Sequence, residues 1–191
     1  MAKLVFKYGA MGSSKTANAL MVRYNYMERG KKVLLLKPKI ENRDGEKIIR
    51  SRIGLEAECE YVEDVIEEPA YNGLSEYDAI IVDEAQFLTG KQVDRLSDIV
   101  DNFDIPVLCF GLRADFRGNF FSGSQRLMEI ADSIEEIKTI CWCGRKATFN
   151  ARLKDGKVIY TGQQVMMGGN ESYIALCRKH YKEGKLKEED A

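Results

Sequence analysis

Residues 3–30 read KLVFKYGAMGSSKTANALMVRYNYMERG: a short apolar run, a Gly/Ser loop and an amphipathic stretch in direct succession. The run KLVFKY has the length and apolarity of a buried strand. Ala17, Leu20, Met21, Tyr24 and Met27 then recur at helical spacing, so the segment predicts strand, loop and helix, with Gly30 as the helix stop. The loop itself, GAMGSSKT at residues 9–16, sits between a buried strand and a helix start, which is the setting of a phosphate-binding loop. Gly9, Ala10, Met11, Gly12, Ser13 and Ser14 would let consecutive backbone N–H groups converge on phosphate oxygens. Lys15 would reach the outer phosphates as a point charge, and the Thr16 hydroxyl would ligate Mg²⁺. Ser14 stands where such loops carry their second glycine, so the loop must tolerate a side chain or slight strain there.

Working outward, KVLLLKP (residues 32–38) is too uniformly apolar for a half-exposed strand and fits one covered on both faces of a parallel sheet. DAIIVDEAQF (78–87) and IPVLCFGL (105–112) read the same way, with a helix through Val93, Leu96 and Val100 between them and a short helix over residues 124–132. The fold predicted is α/β, a P-loop NTPase-like, mostly parallel sheet flanked by helices. Residues 39–54 are charged and turn-rich and read as a surface loop open to ordering by ligand. In such sheets the ligand crevice lies beyond the carboxyl ends of the strands, where AIIVDEAQF places Asp83 and Glu84. Asp83 fits the Mg²⁺ role that accompanies a P-loop. Glu84 fits either a base toward an acceptor hydroxyl or an orienter of water in an ATPase.

The chain has 191 residues, 45% of them hydrophobic, which suits one folded domain with a small appendage. Its 29 basic and 30 acidic residues nearly cancel, so no overall positive field favours nucleic acid. No run of 18 apolar residues and no apolar signal core are present, so no membrane role and a cytoplasmic location are expected. Cys59 and Cys109 stand alone, as small core hydrophobes do. After residue 138 the sequence changes character, giving a nucleotide-binding part at 1–138 and a second part at 139–191 that ends in a charged tail. Cys141, Cys143, Cys177 and His180 in that second part offer the four ligands a closed tetrahedral Zn²⁺ site needs. The one-residue gap in CWC makes a tight chelate turn, so Cys141 is the ligand most in question.

GAMGSSKT, DEAQF, GLRADFRGNFFSG, CGRKATFNARL and GGNESYIALCRKH, in this order, resemble the type II thymidine kinases over residues 3–182. The resemblance implies transfer of the ATP γ-phosphoryl group to the 5′-hydroxyl of thymidine or deoxyuridine, with Mg²⁺, in a cytosolic homotetramer inhibited by thymidine triphosphate. It implies nucleotide contacts from residues 9–16 and from Asp83, Glu84, Ala85 and Gln86, with Glu84 and Lys15 catalytic and Arg113 facing the phosphates. Met11, Leu112, Phe116 and Phe121 would line the thymine pocket. Gln164 to Tyr173 would form a lasso over the nucleoside, with Met166 and Tyr173 as contacts and the Gly168–Gly169 pair allowing backbone readout of the base. The C-terminal part would then be a small zinc-binding lasso domain. A P-loop ATPase of a remodelling or nucleic-acid-linked type is the rival reading; it would want a basic track or a second motor domain.

Overall fold

β1 (Leu4–Tyr8) leads through the Gly/Ser loop into α1 (Lys15–Met27), as the sequence pattern demands. The computed structural model describes residues 1–41, 45–66, 73–165 and 172–187. β2 (Val33–Lys37) follows, then β3 (Ile48–Arg50), β4 (Glu56–Glu58), β5 (Glu60–Tyr61) and the short helix α2 (Val62–Ile66). Next come β6 (Ala79–Val82), α3 (Gly90–Phe103), β7 (Val107–Gly111), α4 (Ser122–Ile130) and β8 (Ser133–Glu136). Among the described residues the main sheet has six strands in the order β5-β2-β6-β7-β1-β8, and every pairing is parallel.

Alternation along the central strands fills both faces. Leu34, Leu36, Ile80 and Val82 pack into one cluster with Val93, Leu96 and Ile99 of α3, while Leu35, Ile81 and Phe110 join Ala19 and Leu20 of α1 on the other. Burial on both faces is why these strands read as continuous apolar runs. α3 is fixed at its start by a capping box: the Gln92 backbone N–H donates to Thr89 Oγ1 at 3.2 Å and the Thr89 N–H donates to Gln92 Oε1 at 2.8 Å. α1 ends as expected, with Gly30 at φ 71°. Its outer face differs from the sequence reading: Ala17 and Leu20 are buried, but Met21, Tyr24 and Met27 are exposed.

The stretch at 39–54 is not simply a surface loop. β3 pairs antiparallel with β4, Ile49 and Ser51 are buried, and the buried Lys37 ammonium donates to the Gly45 and Ile48 carbonyls at 2.9 and 2.8 Å. A lysine at the end of β2 thus organises a segment whose own composition is polar. β8 also escapes the sequence reading, because an edge strand with one neighbour can expose Ile134 and carry charge at Glu135 and Glu136.

A second sheet lies further along the chain. β9 (Phe149–Lys154) pairs antiparallel with β10 (Lys157–Ile159) and β11 (Ser172–Leu176), followed by α5 (Arg178–Glu183). Ala151, Leu176, Cys141, Cys177 and Tyr181 form its own apolar cluster.

Candidate active site

The phosphate-loop sequence takes the expected path around the N-terminus of α1. Gly9 is the residue the close packing requires: a Cβ there would lie 2.4 Å from the Ile137 carbonyl oxygen and 2.4 Å from Ser13 Oγ. Ser14 adopts φ 59°, ψ 30°, the left-handed conformation its glycine counterpart would take without steric conflict. For a serine that costs on the order of 1 kcal/mol. Lys15 Nζ rests on the Ala10 carbonyl at 3.0 Å and Ser13 Oγ at 3.4 Å. Burial lowers its pKa, with the Glu84 and Asp83 carboxylates pulling the other way.

Asp83 and Glu84 leave the end of β6, directly across from this loop. Burial and the adjoining Glu84 carboxylate push the Asp83 carboxyl up to about 7, against a hydrogen bond from Thr16. Glu84 is itself left-handed, at φ 52°, ψ 36°. Two non-glycine residues in this region of backbone space thus flank one site, where stored strain usually accompanies function. The buried Gln86 carboxamide sets the Glu84 side chain: its Nε2 donates to Glu84 Oε2 while its Oε1 accepts from the Leu112 backbone N–H at 3.0 Å.

These groups face one cleft of about 770 Å³, within the usual range for ligand pockets. Met11, Gly12, Ser14, Lys15, Thr16, Asp83, Glu84, Gln86, Leu112, Phe116, Phe121 and Tyr173 all line it. Gly9, Ala10, Ser13 and Ala85 are not among its lining residues. The Arg113 guanidinium lies 5.8 Å from the ring centre of Tyr8, the residue just before the phosphate loop, and Arg52, from the β3–β4 turn, lines the cleft. Met166, Gly168 and Gly169 fall outside the described residues, so the lasso is seen only at its two ends.

Several groups here lie inside the quoted strings but are given no individual role by the sequence. Asn150 of β9 accepts from the Met11 backbone N–H at 2.7 Å and donates to the Ala114 carbonyl at 3.2 Å, joining the phosphate loop to the second sheet. Gln164 donates to Asp115 Oδ2 at 3.1 Å and to the Phe120 carbonyl at 3.2 Å, which seats the near end of the lasso segment on the RADFRG loop. Asp115 in turn is fixed by Arg117, whose Nη2 donates to it at 2.9 Å.

Cys141, Cys143, Cys177 and His180 converge, their candidate ligand atoms all within 4.8 Å of one another. Cys141, the doubtful member, belongs to the group: its Sγ lies 3.5 Å from His180 Nδ1, and Cys143 Sγ lies 3.9 Å from Cys177 Sγ. Gly144, at φ 79°, closes the turn, with its N–H donating to the Cys141 carbonyl at 2.9 Å. The Trp142 ring stacks on His180 with centroids 4.2 Å apart. Tyr181, one residue beyond, donates to the Phe116 carbonyl at 2.6 Å and so ties this cluster to a wall of the cleft.

A parallel sheet with a P-loop, an acidic strand end beside it and an adjoining aromatic pocket define a P-loop α/β protein of the phosphate-handling class. The thymidine kinase family model matches residues 2–181. The chain belongs to the thymidine kinase family. It is 47% identical over 190 residues to a thymidine kinase of Legionella pneumophila, covering 96% of this chain and 91% of that one. Its identity to the Lactococcus lactis enzyme is 47% over 184 residues, covering 95% and 97%, and to the Rhodopirellula baltica enzyme 48% over 191 residues, covering 96% and 89%. A solved Pif1 helicase structure aligns with 72% of this chain and 40% of its own at TM-score 0.45 and 16% identity, too distant a likeness to favour the ATPase reading. Among the described residues no helix is long and apolar enough to cross a membrane.

Proposed function

We propose that this thymidine kinase transfers the γ-phosphoryl group of ATP to the 5′-hydroxyl of thymidine or deoxyuridine within the 770 Å³ cleft. The observation that carries this reading is that Lys15, Glu84 and the Phe116, Phe121 and Tyr173 rings line one cavity, so donor phosphates and a flat base can meet there. Backbone N–H groups of residues 9–16 cradle the phosphates, and Lys15 neutralises charge that grows on the transferring group. Glu84 accepts the 5′-hydroxyl proton, with Gln86 holding its carboxylate toward the cleft. Thr16 and Asp83 would hold Mg²⁺, which supplies charge neutralisation at the phosphates; a buried carboxyl pushed up toward neutrality suits a cation's presence. The pyrimidine would lie between Met11, Leu112 and Phe116, where a purine finds too little room. Phosphate transfer is checked by following ADP formation with Mg²⁺, with and without thymidine. Formation that is independent of thymidine would favour the ATPase alternative.

The support that Gln86 gives to Glu84 can be probed from behind. A Cβ on Gly111 would lie 2.8 Å from Gln86 Oε1 and 3.0 Å from Gln86 N. Gly111→Ala is therefore expected to displace Gln86 and the carboxylate it holds, lowering kcat by ~10²-fold, as a small misplacement of a reacting group does. Steady-state kinetics beside a melting curve checks this; unchanged kcat in a folded variant would show that Gln86 does not position Glu84.

The Cys₃His cluster is proposed to hold one structural zinc ion. Tetrahedral bonds of about 2.3 Å to sulfur place ligand atoms about 3.8 Å apart, close to the observed spacings. Four protein ligands leave no open position, so the ion's role is to staple the base of the lasso domain. One zinc per chain is expected by metal analysis. Cys177→Ser should loosen the metal, make the C-terminal region protease-sensitive and, through Tyr181 and Phe116, raise KM for thymidine. Freshly purified protein without zinc would refute the site. A cytoplasmic homotetramer and feedback by thymidine triphosphate are carried as further expectations, open to sedimentation and to inhibition assays.

A further inference from the structure

We propose that Arg152 is the positioning residue of the nucleoside pocket: it locks Phe116 and Tyr173 from behind and turns the Tyr173 hydroxyl proton toward the cleft as a donor to the acceptor nucleoside. This rests on the thymidine kinase reading of that cleft. Arg152 and Tyr173 face each other across the β9–β11 pairing, which puts their side chains on the same side of the second sheet. Arg152 is 1% exposed, and its Nε donates to the Tyr173 hydroxyl oxygen at 2.6 Å. Its Nη1 and Nη2 donate to the Gln163 and Gln164 carbonyls at 2.8 and 3.2 Å. The guanidinium carbon lies 3.8 Å from the Phe116 ring centre, a stacked cation–π contact.

Arg152 does not line the cleft, whereas Phe116, Gln164 and Tyr173 all do. One planar cation therefore spaces two aromatic walls and anchors the chain where the lasso segment begins. The hydroxyl chemistry adds a direction. A tyrosine oxygen that accepts from a guanidinium, which can only donate, must send its own proton elsewhere, and the half-buried Tyr173 is a lining residue of the cleft. The partner it suits is a neutral oxygen acceptor of a nucleoside, a base carbonyl or a sugar oxygen, and the neighbouring cation makes the O–H a stronger donor. Lysine would keep the charge but lose the planar fork and the stacking, so it should not substitute.

Thymidine and MgATP would each be titrated calorimetrically into the full-length, zinc-loaded protein and into Arg152→Lys, Tyr173→Phe and the double variant. Each single change is expected to weaken thymidine binding by ~10-fold or more, as loss of a charge-assisted hydrogen bond does. The double variant should bind no more weakly than the worse single one, because the two residues act as a unit. MgATP affinity should stay within about two-fold, since the residues of the phosphate loop are untouched. Tyr173→Phe binding thymidine like the wild type, losses that multiply in the double variant, or MgATP and thymidine affinities that fall together would each overturn the proposal. If Arg152→Lys melts below the assay temperature, Tyr173→Phe keeps the ring on the guanidinium and carries the same expectation alone. Wild-type protein that fails to bind thymidine would instead refute the kinase reading on which the proposal stands.

Discussion

Lys15→Ala is expected to cut phosphoryl transfer by at least ~10³-fold while the melting temperature holds or rises slightly. The loss follows from position. The ammonium lines the cleft between the phosphate loop and the Asp83–Glu84 strand end, where preorganised charge stabilises the transferring group far more than it would in water. The stability expectation follows from burial. Desolvation is the largest influence on Lys15 and lowers its pKa, so the fold disfavours the charge it holds there. Among the described residues the side chain's hydrogen bonds run to the Ala10 carbonyl and Ser13 Oγ of its own loop, and its removal leaves the apolar clusters intact. Thymidine affinity should change little, because the base pocket proposed above is built from the apolar and aromatic lining and not from Lys15. Kinetics, a thermal melt and a thymidine titration on one preparation test all three; near-normal turnover would sink the phosphate-loop assignment.

The elements that bear this chemistry were legible because their signals are local. A strand buried on both faces has to be apolar throughout, so Leu34 to Leu36 and Ile80 to Val82 announce themselves. Gly9 is legible for a related reason: its Cα sits where no Cβ fits. Ser14 shows the limit of that logic, since the fold accepts a serine at φ 59° and the motif survives its missing glycine. What stayed hidden depends on partners distant in the chain. Lys37 reads as the polar end of a strand, and only the fold shows its ammonium pinning the Gly45 and Ile48 carbonyls. Asn150 meets Met11 across 139 positions, and Arg152 of β9 meets Phe116 in the loop after β7, so neither spacing nor composition gives them these roles. Arg113 lies over the ring of Tyr8, the residue just before the phosphate loop, a packing partner that its own loop sequence does not announce. The Cys cluster was legible in membership though not in geometry, because a one-residue gap leaves the closeness of Cys141 and Cys143 to be decided by the turn at Gly144.

Glu84→Gln is expected to lower kcat by ~10²- to 10⁴-fold with thymidine affinity kept within a few-fold, the range spanned by loss of a positioned general base. The substitution separates geometry from proton chemistry. A glutamine at this position keeps the length and shape of the side chain, and its amide oxygen can still accept from Gln86 Nε2, so the group should remain where Glu84 stands. The surrounding supports also remain: Gln86 stays tied to the Leu112 N–H at 3.0 Å, and Gly111 still leaves it room. What disappears is the lone pair able to take the 5′-hydroxyl proton, since an amide nitrogen facing the cleft is a donor and not a base. If the apolar and aromatic walls hold the nucleoside as proposed, KM for thymidine should move far less than kcat. The two possible roles of this carboxylate then part cleanly. If Glu84 serves transfer to a hydroxyl, the variant loses thymidine-dependent ADP formation and leaves any slow thymidine-independent hydrolysis of ATP unaffected. If it orients water, that hydrolysis falls in step. A third result, weakened thymidine binding with kcat preserved at saturation, would make Glu84 a substrate contact and move the proton acceptor to another group lining the cleft.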